Sequence, residues 1–224
     1  MEDYGEALCK TVLSISYSEK LKICLNICEI IKNLHKQRII FQDIKSSNIC
    51  ISTNRTTLID PDLVKRISYK SLAGGSFTPP ELLITKNTLY PLKIDIWNLG
   101  IMLLNIFNKN HPLITLYCSN NTTKELTLSE IKEKVKPKTE LIPNNRILNN
   151  LVSKMLRINP RNRPTIEKIQ SNIHILYYKS LTIAEHTKTS QIELYENKSN
   201  EKINSFSPID EKLINDYVES WYSK

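Results

Sequence analysis

At 224 residues, the chain is long enough to bury one sizeable core with a tail to spare. Its 40% hydrophobic and 24% charged content is that of an ordinary globular protein. No apolar run approaches the roughly 18 residues of a membrane span, and the acidic opening Glu2-Asp3 does not read as a secretory leader. The net charge of +8 is uneven, +11 over residues 1–180 and −3 over 181–224. A basic body favours acidic partners such as nucleotides or acidic proteins, while no zinc-finger, stacking-aromatic or clustered-arginine pattern points to nucleic acid.

In chain order, residues 18–36 read as an amphipathic helix. Leu21, Cys24, Leu25, Cys28, Ile31 and His35 recur at three- and four-residue steps, and Ser18 is a candidate N-cap. Residues 38–41, 49–51 and 57–59 are short, β-prone and bounded by polar residues, so they are expected as brief strands around two loops. Residues 61–80 lack a period and contain Gly74, Gly75, Pro79 and Pro80, which reads as a loop. Residues 94–107 are apolar on nearly all sides but too short for a membrane, so they are expected to form the central core helix. Residues 108–125 read as a polar loop. Short helices are expected at 127–135 and 146–157. A longer one follows Arg163, with Pro164 in its first turn, and ends near Tyr178.

Beyond it, a polar linker is expected over 181–207, then a helix over 208–222. Ile209, Leu213, Ile214, Tyr217, Val218 and Trp221 form one apolar stripe there, expected to dock on the body or on a partner. The five cysteines form an odd set with no second Cys/His pair to complete a zinc site. They fit a reducing compartment, so the expected location is intracellular, cytoplasmic or nuclear.

The chemically informative string is Phe41-Gln42-Asp43-Ile44-Lys45-Ser46-Ser47-Asn48, followed by a second acid at Asp60. Phosphoryl transfer needs these residue types. A carboxylate orients the attacking hydroxyl and takes its proton, a cation offsets charge on the moving group, and an amide oxygen with a second carboxylate can hold Mg²⁺. Alone, an acid, a cation and an amide at this spacing are also an ordinary polar loop. In context they precede Pro80-Glu81, then Asp95-Ile96-Trp97-Asn98-Leu99-Gly100, then Asn159-Pro160-Arg161-Asn162-Arg163-Pro164.

In that order and spacing the chain resembles the protein kinase family over residues 1–178. The fold implied is mainly α, a C-terminal lobe (1–180) with short β-strand pairs around the catalytic and metal-binding loops. The resemblance implies ATP and Mg as cofactors and a protein as substrate or partner. It makes Asp43 the base, places Lys45 at the γ-phosphate, assigns Asn48 and Asp60 to Mg²⁺, and puts Cys50 on the adenine-pocket floor. Glu81 and Arg163 would form a buried pair bracing the substrate-side loop, and Asp95 would tie the core helix to the catalytic loop. Lys45 points to a Ser/Thr-type site.

The chain departs from the family in four places. The Gly-rich loop, strand lysine and helix glutamate of the family do not occur within these 224 residues, so the expected likeness is to a lobe that begins near the hinge, with the N-lobe absent. Phe41-Gln42 replaces His-Arg, which removes the arginine that reads a phosphorylated loop. Pro61-Asp62 replaces Phe-Gly after the metal-binding acid. Gly74 stands where Ser/Thr kinases carry a threonine near the base. The first expectation is a divergent Ser/Thr-type kinase, and the alternative is a pseudokinase or scaffold that does not transfer phosphate.

Overall fold

The first long helix begins at a built cap. The computed structural model describes residues 6–12, 14–52, 55–67, 75–85, 88–119, 127–136 and 141–199, with the side chains of 118–119 and 184–199 excepted. Ser16 is extended, its hydroxyl accepts the Glu19 amide at 3.2 Å, and Glu19 Oε2 accepts the Ser16 amide at 2.8 Å. This reciprocal pair caps helix α2 (Tyr17–Lys36), so the N-cap lies two residues ahead of Ser18. A short strand β1 (Glu6–Ala7) and helix α1 (Leu8–Thr11) precede it. Leu21, Cys24, Leu25, Cys28 and Ile31 form the buried stripe of α2. After α2, Arg38 takes a left-handed φ of 58° and turns the chain into β2 (Ile39–Ile40).

The expected strand pairs are present. Strand β3 (Ile49–Ile51) is the middle of a three-stranded antiparallel sheet, between β1 and β4 (Thr56–Leu58), with Cys50 opposite Ala7 and Thr57. Strand β5 (Lys65–Arg66) returns to β2, pairing Ile39 with Arg66 and Ile40 with Lys65. These two small sheets hold the loop between β2 and β3 at both of its ends.

Helix α3 (Pro80–Ile84) leads to the core helix α4 (Leu92–Phe107), which is buried from Ile94 to Leu104, including the polar Asp95 and Asn98. Helix α7 (Arg146–Met155) packs on it where Gly100 leaves no room: a Cβ there would lie 2.9 Å from Leu156 Cδ2 and 3.1 Å from Met155 Cβ. Together with α2 and the first turns of α8 (Ile166–Ser199), these elements form one apolar core around Trp97, Leu99 and Met102. Helix α6 (Leu128–Lys134) carries a second capping box, Thr127 with Glu130.

Three expectations are corrected. The stretch read as a loop over 108–125 contains helix α5 (Pro112–Ser119). Leu113, Ile114 and Tyr117 are buried on one face of it, and the His111 ring accepts the Leu113 amide at 3.1 Å at its start. Burial, then the nearby Lys134 charge, hold His111 below its ordinary pKa, which favours the neutral acceptor that this bond needs. Helix α8 starts at Ile166, so Pro164 lies outside its first turn, and the Thr165 hydroxyl accepts the Lys168 amide at 3.4 Å. The same helix continues past Tyr178 to Ser199, through residues read as linker. The chain divides into two compact units between Thr182 and Ile183, and the expected helix over 208–222 lies outside the described residues. Among the described residues, no helix is long and apolar enough to cross a membrane.

Candidate active site

The loop from Phe41 to Asn48 is built around a buried charge. Asp95, fully enclosed on α4, accepts the Gln42 amide at 2.8 Å through Oδ1 and the Phe41 amide at 3.0 Å through Oδ2. Its Oδ2 also meets His35 Nε2 at 2.8 Å, at the end of α2. A carboxylate this deep is tolerable only when donors surround it. Gln42 has a left-handed φ of 70°, and its carbonyl accepts Asn98 Nδ2 at 2.5 Å. Asp95 and Asn98 therefore fasten the loop to the core helix one residue before Asp43.

Asp43 is nearly buried and has three donors. Oδ1 accepts the Ser76 amide at 2.8 Å, and Oδ2 accepts Asn48 Nδ2 at 3.0 Å and lies 2.7 Å from Lys45 Nζ. Burial pushes the carboxyl pKa up, but the Lys45 and Ser76 hydrogen bonds and the Lys45 charge outweigh it and hold the group below its ordinary value. Lys45 Nζ also donates to the Ser76 hydroxyl at 2.8 Å. Asn48 Nδ2 also donates to the Asp43 carbonyl at 3.1 Å, which leaves Oδ1 as its free acceptor among the described residues.

Ser76 and Gly75 were not among the candidate residues. They reach the loop from a distant segment, and a Cβ on Gly75 would run into the Gln42 carbonyl and lie 2.9 Å from Asp43 Oδ1. Only glycine allows this approach. The readable signal was Gly74-Gly75-Ser76 just ahead of Pro79-Pro80-Glu81. Gly74 itself lies outside the described residues.

Asp60 sits next to Asn48 through the backbone. The Ile59 amide donates to the Asn48 carbonyl at 2.9 Å, extending the β3–β4 pairing to the residue before Asp60. Asp60 then takes a left-handed φ of 60° and starts a 3₁₀ turn at Pro61–Leu63. Its carboxylate is exposed and makes no hydrogen bond or ion pair among the described residues. Gln42 Nε2 donates to the Leu63 carbonyl, which ties this turn to the loop from Phe41 to Asn48. Cys50 is buried in β3.

An amide oxygen and a free carboxylate at adjacent positions are hard oxygen donors of the kind that suit Mg²⁺. No cluster of three His, Cys, Asp or Glu able to hold a metal occurs among the described residues. Mg²⁺ held through one or two protein oxygens, water and phosphates does not require one.

Glu81 and Arg163 are joined by two parallel bonds, Nη1 to Oε1 at 2.8 Å and Nη2 to Oε2 at 2.6 Å. Arg163 is 3% exposed and also donates to the Arg157, Lys93 and Ile158 carbonyls. Its guanidinium carbon lies 4.9 Å from the Trp97 ring centre. The pair fixes the start of α3, five residues after Ser76.

A family model described as a protein kinase domain matches residues 3–175. Serine/threonine-protein kinase Nek3 of Mus musculus is 29% identical over 148 residues, 63% of this chain and 27% of the relative. Serine/threonine-protein kinase shk1/pak1 of Schizosaccharomyces pombe is 28% identical over 173 residues, 72% of this chain and 25% of the relative. Serine/threonine-protein kinase Nek5 of Homo sapiens is 30% identical over 146 residues, 62% and 20% respectively. The chain thus spans about a quarter of the length of these relatives.

Proposed function

The chain belongs to the protein kinase family, and we propose that it carries the catalytic and substrate-binding lobe of a Ser/Thr-type kinase that moves the ATP γ-phosphoryl group onto a protein hydroxyl. The observation that carries this reading is the charged Asp43 carboxylate, held between Lys45 Nζ at 2.7 Å and the Ser76 amide at 2.8 Å. Asp43 accepts the proton of the attacking hydroxyl as the new O–P bond forms and the Pβ–O–Pγ bond breaks. Lys45, with a quarter of its side chain exposed, offsets charge on the phosphoryl oxygens. Asn48 Oδ1 and the Asp60 carboxylate are the groups that would hold the metal. Bound Mg-ATP supplies the transferred group and the metal charge that offsets it.

The test is Mg-dependent phosphotransfer by the complete protein. Asp43→Asn is expected to lower kcat by at least about a hundredfold, the scale of a lost general base, and Asp60→Asn by a similar factor of about a hundredfold through loss of charge that would hold the metal. A wild-type protein as inactive as both variants overturns the reading. A second reading, a kinase-like scaffold without phosphotransfer, draws support from Gln42 and from Pro61-Asp62, which replace two motifs of the family's switch machinery.

A further inference from the structure

We propose that Tyr117, on helix α5, is a positioning residue for the phosphotransfer site. Through the Thr78 carbonyl and the Phe77 ring, it would hold the strap 75–79 where Ser76 can fix Asp43 and Lys45. This rests on the kinase reading above for its consequence in catalysis, but its structural content does not.

A buried tyrosine on a short helix is ordinarily core packing. Here the hydroxyl has its own connections. Tyr117 Oη donates to the Thr78 carbonyl at 2.9 Å and accepts Trp97 Nε1 at 3.2 Å. Its ring meets Phe77 edge to face, with centres 5.5 Å apart. Burial pushes the phenol well above its ordinary pKa, so it stays a donor.

The strap transmits what happens at Thr78. Thr78 Oγ1 donates to the Gly75 carbonyl at 2.8 Å, closing a turn over 75–78. Gly75 already lies hard against Gln42 and Asp43, so it has no slack toward the loop. Ser76, inside that turn, gives its amide to Asp43 Oδ1 and accepts Lys45 Nζ. The strap is thus gripped at Ser76 by the catalytic loop, at Thr78 by Tyr117, and just beyond its end at Glu81 by Arg163. Trp97 joins the last two grips, with its Nε1 on Tyr117 and its ring against Arg163.

Tyr117→Phe keeps the ring and removes the hydroxyl. In the full chain, hydrogen exchange at the Ser76 amide is expected to quicken roughly five- to tenfold, the effect of one lost hydrogen bond on local opening. Amides of α2 and α7 should exchange as in the wild type. In the complete kinase, kcat should fall by a similar factor with the KM for ATP unchanged. Should Tyr117→Phe fail to fold, Thr78→Val, which cuts the bond to the Gly75 carbonyl, is expected to give the same pattern. Unchanged exchange at Ser76 overturns the proposal whatever happens to kcat, and so does a loss of protection spread evenly over α2 and α7. A wild-type protein without phosphotransfer removes the kinase reading, while the exchange measurement still decides the role of Tyr117.

Discussion

Asp43 is the residue at which burial and charge pairing compete. Its own burial favours the neutral form, and Lys45 with the Ser76 amide and hydroxyl favours the charged one more strongly. A carboxyl whose folded pKa lies below its unfolded value of about 3.9 adds stability above that value. The contribution is lost as pH falls through the lowered folded pKa. Denaturant unfolding of the wild type and of Asp43→Asn should therefore differ most at pH 6–7, and the gap should narrow once pH drops below about 4. An equal gap at pH 3 and pH 7 would mean that Asp43 gains nothing from its partners. The same bonds that make the group a stable anion also aim it, so the measurement reports on the site without needing turnover.

Glu81 and Arg163 show how an ion pair locks two elements that are far apart in sequence. Arg163 precedes α8, Glu81 starts α3, and both side chains are almost wholly enclosed. Removing one partner from a buried pair costs roughly 3–5 kcal/mol, because the other charge is stranded. In Glu81→Ala, the Arg163 guanidinium keeps the carbonyls of Arg157, Lys93 and Ile158. The expected loss is therefore at the low end, about 3 kcal/mol, read from urea unfolding. A loss below about 1 kcal/mol would show that the carbonyls alone satisfy the arginine.

Legibility in the sequence followed the same division between local and distant causes. Helices α2, α4, α6 and α7 were visible because an apolar period or a buried run marks them directly. Helix α5 was hidden because Leu113, Ile114 and Tyr117 are a single short stripe between polar flanks, and its start is set by a histidine ring, an uncommon cap. The length of α8 was underestimated because its sequence beyond Tyr178 is polar. Nothing there breaks a helix, however: no Gly or Pro occurs from Thr165 to Ser207. That Asp43, Lys45 and Asn48 lie together was legible because one short loop carries all three. Gly75 and Ser76 left only the Gly-Gly-Ser signal ahead of Pro79-Pro80-Glu81, and Tyr117 left none, since these residues join the loop through contacts spanning tens of residues.

At the scale of the whole molecule, the open question is whether this chain by itself recognises a nucleotide, and stability answers it. A ligand that binds only the folded state stabilises it by RT ln(1 + [L]/Kd), about 1.4 kcal/mol at ten times Kd. For a unit of this size each kcal/mol moves Tm by roughly 2–4 °C, so saturating Mg-ATP should raise Tm by about 3–6 °C. The groups proposed to face phosphate and metal, Lys45, Asn48 and Asp60, all lie within the first compact unit. The metal-dependent part of the shift should vanish when EDTA is added and in Asp60→Asn, whose amide cannot offer the same charge. Asp43→Asn should keep the shift, because Asp43 is assigned to the acceptor hydroxyl and not to the nucleotide. A Tm indifferent to millimolar Mg-ATP would instead favour the scaffold reading for this chain. A shift that survives in Asp60→Asn would move the metal away from the turn at Pro61–Leu63.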